Sequence, residues 1–284
     1  MRRKLARGVS SPSSRSCRGR LGAFALCGSL LLSAAAAGAQ TPPHELRFDP
    51  WLAAAVDVPL AGGYLALYLL ADSPERCAIC TPSVLDLWLS EGLSLPRGRE
   101  AVAVVSDFGL YAVWAGGLGL AFAAGLAGPG GAGRSLRRGA EDLFAVAEAV
   151  LATQALTHSV KLLSARKRPE TYLRLHRAYD SNQSFFSGHS SNSAAIAASA
   201  ATVSHLRGYP FRTVVLAVGT VFSLTVGLLR VVALKHWASD VLVGWLVGAA
   251  LGVALPLLLH PRLERREASD AATGGASERP LLRF

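Results

Sequence analysis

Three short polar clusters interrupt an otherwise apolar stretch of this chain: KLLSARKRP at 161–169, SGH at 187–189 and RVVALKHWASD at 230–240. Lys161 and Arg168 are spaced for a phosphate. Seven residues turn a helix through about 700°, which puts both cations on nearly one face two turns apart. Pro169 disfavours helical geometry at Arg168 and predicts that the element ends there. Two fixed cations on one edge hold an anion, and Arg can fork onto two of its oxygens. A basic flank anchoring a membrane helix would use the same residues, so the cluster alone leaves both uses open.

In the second cluster, Gly188 permits close backbone approach, and amides at a helix start point outward at an anion. His189 beside them is placed to give a proton to a leaving oxygen near neutral pH, although a single loop histidine is also an ordinary solvated residue. In the third, His236 and Asp240 are four residues apart, so on one helix the carboxylate can set the imidazole tautomer and favour its cation. An interfacial ion pair has the same spacing. Arg230 lies about 120° off the face of His236 on a continuous helix. One helix is therefore expected to end near Arg230 and the next to open at His236.

The elements that must position these groups are membrane helices. Apolar residues make up 51% of the 284, and only 17% are charged, below the roughly 25% of soluble domains. Six apolar segments, at about 51–71, 101–127, 140–163, 190–206, 211–229 and 239–259, approach the ~20 residues that cross a hydrocarbon core. Gly and Ala within them let helices approach closely. The fold class expected is all-α, a six-helix transmembrane bundle with its site at the helix ends. Asp57, Asp107 and Glu148 fall inside spans, where an ionisable group must face protein or water; each either lines a polar path or serves as a structural hydrogen-bond partner.

Residues 1–39 hold seven Lys or Arg and no acid, and the remaining 22 basic residues against 19 acids leave only +3 of the +10 net charge. No basic, aromatic-interleaved surface for nucleic acid follows from that balance. A basic region, an apolar stretch and Ala37-Gly38-Ala39 read as a signal peptide or N-terminal leader over 1–39. The membrane domain is expected over 40–260 and a disordered polar tail over 261–284. Cys77 and Cys80, in CAIC, lack a βαβ setting for thiol redox catalysis and a second ligand pair for zinc; a possible short-loop disulfide in an oxidising compartment is the expectation.

In that order over about 80 residues, K-x6-RP, SGH and R-x5-H-x3-D resemble the type-2 phosphatidic acid phosphatase and vanadium haloperoxidase superfamily, with the membrane spans pointing to its lipid phosphatase branch. Two positions depart from the common pattern: Phe186 stands where Pro is frequent, and Leu229 where Ser is. The resemblance implies a metal-independent phosphatase with no cofactor. His236 would be the nucleophile, Asp240 would orient it, and His189 would be acid and then base. Lys161, Arg168 and Arg230, with Ser187 and the Gly188 amide, would bind phosphate. The implied substrate is a phospholipid or polyprenyl phosphate or diphosphate in a membrane. Haloperoxidase or broad acid phosphatase chemistry on the same site is one alternative, and a non-catalytic phospholipid-binding or transport protein is another. Phe185 and Phe186 are expected to seat the SGH loop at the membrane surface.

Topology is contested by the sequence itself. A cleaved leader followed by three spans would put the site inside, so either the leader stays or one early span does not cross. Setting Arg168 and Arg230 aside, loops on the site's side carry 8 Lys and Arg against 10 opposite. That asymmetry favours an extracytoplasmic site in a bacterial-type inner membrane.

Overall fold

The computed structural model describes residues 43–70, 77–95, 97–175 and 181–263. The leader at 1–39 and the tail from 264 lie outside them. The described residues form helices α1 (Pro50–Leu70), α2 (Val84–Leu93), α3 (Arg99–Ala127), α4 (Ala132–Ser164), α5 (Pro169–Tyr172), α6 (Gly188–Arg207), α7 (Arg212–Val232) and α8 (Ala238–Leu259).

Six of these are long, as the apolar segments predict. By length and composition, α1, α3, α4, α7 and α8 can each cross a membrane. The fourth expected span, α6, falls short of that composition because its sequence is GHSSNSAAIAASAATVSHLR. Its hydroxyls and small side chains are instead buried at the centre of the bundle, where α6 packs against α3, α4, α7 and α8. The apolar core gathers around Val113, Val146, Val150, Ile196, Val203 and Val226.

The tightest seam is that between α6 and α8. Gly244, Gly248 and Gly252 recur every four residues, on one helix face. A Cβ on each would come within 2.6 Å of Ser187 O, 1.9 Å of Ser191 O and 2.5 Å of Ala195 O respectively. Small residues thus let two backbones meet, the arrangement that substitutes for a hydrophobic driving force in lipid. Because Ser187 opens α6, the seam also fixes the SGH turn against α8.

A second polar cluster closes the opposite end. Arg207, fully buried, bonds Asp142 Oδ1 at 2.7 Å and Glu141 Oε2 at 2.8 Å, while the Tyr209 hydroxyl donates to Asp142 Oδ2. Glu148 pairs with His260 at 2.6 Å, a structural partner for one of the three acids expected inside spans. Arg262 donates to the carbonyls of Leu206 and His205, so the polar tail's first residues are tied to the bundle.

Candidate active site

Chain reversals between helices, rather than any single helix face, assemble the site. After Ser164 the chain turns left-handed at Ala165 (φ 45°), whose N–H caps Lys161 O. That turn corrects the expectation of one continuous helix from Lys161 to Arg168. Arg168 instead caps α5 with an extended backbone (ψ 151°), and Pro169 takes the first helical position, where its missing N–H costs nothing. The amides of Ala78 and Ile79 bond Ser164 O at 2.9 and 3.2 Å, so the CAIC loop, with Cys77 and Cys80 joined in a disulfide, caps the helix that carries Lys161.

Ser187 is the N-cap of α6 and is fully buried; its hydroxyl accepts from Ser190 N at 3.4 Å and Ser190 Oγ at 3.1 Å. That hydroxyl is engaged in the helix start. Gly188 stands beside the lysine: a Cβ there would lie 3.7 Å from Lys161 Nζ. α7 ends at Val232, and the tight turn through Leu234 (φ 55°) returns the N–H groups of Lys235 and His236 to Arg230 O at 3.0 and 3.3 Å. α8 begins after Trp237. The expected break between Arg230 and His236 is therefore present.

His236 is 1% exposed, and its Nδ1 donates to Ser184 O at 2.8 Å. Asp240 stands 3.8 Å from that nitrogen. The direct orienting contact expected of Asp240 is thus supplied by a backbone carbonyl. Asp240 accepts instead from Ser184 Oγ, from Trp237 N and from Arg166, because a helix-start acid is held by the amides of its own first turn. Its link to the imidazole runs through Ser184. Burial, followed by Arg168, Lys161, Arg230 and His189, holds the His236 imidazole well below its ordinary range. Those four groups are the sequence-predicted neighbours, so Lys161, Arg168, His189, Arg230 and His236 share one site.

Asp107, which the sequence left between two uses, joins the second histidine to the arginine: its Oδ1 meets His189 Nε2 at 2.7 Å and Arg230 Nη1 at 2.9 Å. Ser106 Oγ lies 3.1 Å from the same guanidinium. Arg168 reaches Lys235 O at 3.2 Å.

Arg166 is the residue that motif reasoning passed over. Four percent exposed, it bonds Asp240 and Asp86 and lies 6.0 Å from the ring centre of Phe185. Phe186 is buried against α8 near Gly244, so it packs inside the turn rather than seating it on a membrane, while Phe185 is half-buried. Burial pushes the Asp86 carboxyl up, but hydrogen bonds from Ser239, Arg166 and Ser83 prevail and hold it below the usual carboxylate range. Nothing in the spacing of Asp86 and Arg166, 80 residues apart, signals their pairing.

A set of cations, two histidines and acids around one point at the ends of α4, α6 and α7 invites comparison with known families. Residues 142–264 match the PAP2 superfamily. The PAP2 segment runs from Asp142 in α4 past the end of α8, so it contains Lys161, Arg168, His189, Arg230, His236 and Asp240; Asp86 and Asp107 precede it. Among solved structures, a transmembrane PAP2 type phosphatidylglycerolphosphate phosphatase from Bacillus subtilis is similar at 22% identity over 72% of this chain and 95% of that chain, with a TM-score of 0.49. No curated protein matches the chain. The family match supports a phosphatase, and the spans make the chain a multi-pass membrane protein.

Proposed function

We propose that this protein is a membrane phosphatase that hydrolyses a lipid phosphate or diphosphate through a phosphohistidine on His236. The observation that carries the reading is the fixed tautomer of a buried imidazole facing cations. With Nδ1–H given to Ser184 O, the lone pair is on Nε2, which is the atom free to attack phosphorus.

In the first step Nε2 forms a bond to phosphorus, and the bond from phosphorus to the leaving oxygen breaks. His189 gives that oxygen its proton, and Lys161, Arg168 and Arg230 balance the charge that gathers on the phosphoryl oxygens. In the second step a water attacks phosphorus, His189 takes its proton, and the N–P bond breaks to release phosphate. Asp107, bonded to both His189 and Arg230, keeps the proton carrier next to a phosphate-binding cation. A lipid substrate is supported by the five helices long and apolar enough to cross a membrane, at whose ends the site lies. An extracytoplasmic site is supported by the Cys77–Cys80 disulfide at the same end, since such bonds persist in oxidising compartments.

Phosphate release from phosphatidate, phosphatidylglycerol phosphate and undecaprenyl diphosphate, measured with purified protein in EDTA, tests the proposal. Wild type is expected to turn over at least one of them and His236→Ala none. Activity that requires added metal, or that survives the substitution, rejects the mechanism.

A further inference from the structure

The short helix α2 is not needed to hold any group on phosphate, yet it is fastened to the site by buried charge. Its outer and inner faces differ sharply. Asp86 and Ser90, four apart on the inner face, are 1% and 3% exposed, whereas Val84, Leu85 and Trp88 on the outer face are 85%, 60% and 68% exposed. A capping box at Ser83 and Asp86 starts the helix, so the amphipathic pattern is set in a well-formed element.

The level of α2 in the bundle is fixed by Asp86. Its Oδ1 accepts from Ser239 N at 2.9 Å and its Oδ2 from Ser239 Oγ at 2.8 Å, in the first turn of α8, a helix long and apolar enough to cross a membrane. One helical turn rises about 5.4 Å, so α2 lies beside the start of a span, where headgroups meet acyl chains. Its inner face is turned to α7 and α8, which leaves Val84, Leu85 and Trp88 directed away from the bundle at that depth. An exposed apolar helix face with a tryptophan at that level fits a lipid surface.

The inner face leads to the nucleophile by an unbroken chain of contacts. Asp86 Oδ2 bonds Arg166 Nη2 at 2.8 Å; Arg166 Nη1 bonds Asp240; Asp240 accepts from Ser184 Oγ; and Ser184 O accepts from His236 Nδ1 at 2.8 Å. We infer that α2 is a membrane-surface helix seated on the lipid interface, and that Asp86 and Arg166 are positioning residues through which this seat fixes the orientation of His236. The inference rests on the phosphatase reading for its second half only.

Two arms test it in reconstituted phosphatidylcholine vesicles. In the first, tryptophan emission of wild type and Trp88→Phe is compared in vesicles brominated at shallow or deep acyl positions. The component lost in Trp88→Phe is expected to be quenched more by shallow bromines. No quenching of that component, whether water or a second copy of the chain covers α2, overturns the membrane seat. In the second arm, Asp86→Asn is expected to lower kcat by about tenfold to a hundredfold, the factor for losing one charge-assisted hydrogen bond, with KM within about twofold and partial recovery in Asp86→Glu. The triple variant Val84→Ser, Leu85→Ser, Trp88→Ser alters only exposed positions and is expected to lower kcat in vesicles in the same sense. Wild-type kcat in Asp86→Asn or in the triple variant overturns the coupling. A wild type that releases no phosphate from any lipid phosphate rejects the phosphatase reading instead, while the quenching arm still reads the position of α2.

Discussion

His236 and Ser184 meet through a 2.8 Å bond from the imidazole Nδ1 to a main-chain carbonyl. A backbone acceptor cannot be removed by substitution and cannot take a proton, so the tautomer is set more rigidly than by a carboxylate. The imidazole is held buried among Arg168, Lys161, Arg230 and His189, an environment that favours its neutral, nucleophilic form.

That environment predicts a pH dependence of stability. Burial first, and then the neighbouring cations, depress the folded-state pKa of His236 below its unfolded value of about 6.5. The unfolded chain therefore binds more protons in the window between those two values. Stability is fully present above that window and is lost as pH falls through it. Thermal unfolding in detergent at pH 7.5, 6.0 and 5.0 is expected to show a steeper loss of Tm for wild type than for His236→Gln. Parallel losses would mean that the imidazole is not held neutral.

Asp107 carries a second prediction. Its Oδ1 is shared by His189 and Arg230, so Asp107→Asn loses the charge that holds both while preserving size. The expected result is a fall in kcat of about tenfold to a hundredfold. Because Lys161, Arg168 and Arg230, the cations proposed to bind phosphate, remain, KM should change little. A variant with unchanged kcat and raised KM would instead assign Asp107 to substrate binding.

Much of this site was legible because its chemistry is written in short motifs. The Arg230-to-His236 spacing announced a helix end and a new start that the fold contains, whereas Pro169, expected to end the helix of Lys161, opens α5 instead. What the motifs did not carry is long-range: Asp86 meets Arg166 and Ser239 across 80 and 153 residues, and no periodicity encodes such a meeting. The turn at Ala165 was hidden as well, since alanine is a good helix former and the CAIC amides that bond Ser164 O beside the left-handed cap come from a distant loop. For α6, hydropathy misjudged its setting. Its hydroxyls bond within the bundle, as Thr157 and Ser191 do at 3.0 Å, so a polar sequence is compatible with a buried helix.

At the far end, Asp142 and Glu141 together hold Arg207, which is fully buried. Asp142→Ala leaves that guanidinium short of one counter-charge and the Tyr209 hydroxyl without its acceptor. Breaking a buried pair costs about 3–5 kcal/mol, so Tm should fall clearly. Asp142 lies near the opposite end of α4 from Lys161, and kcat at a permissive temperature is expected to stay within about twofold. A large loss of kcat with unchanged Tm would tie this end of the bundle to the reaction.

The seam of α6 and α8 connects packing with the site most directly. A Cβ on Gly248 would lie 1.9 Å from Ser191 O, a backbone atom with no rotamer to yield. Gly248→Val therefore forces the helices apart, at a cost of about 1–3 kcal/mol or more. Separation at that level pulls on the Ser187 N–H, which bonds Asp240 O at 3.0 Å, and so displaces the SGH turn from the start of α8. Both Tm and kcat are expected to fall. Gly116→Ala on α3, where an added Cβ meets nothing within 4 Å, serves as the control and should leave both unchanged or raise Tm slightly through helix propensity. If Gly248→Val lowers Tm but keeps wild-type kcat, the seam supports the bundle without setting the site; if it changes neither, the close approach of the two helices is wrong.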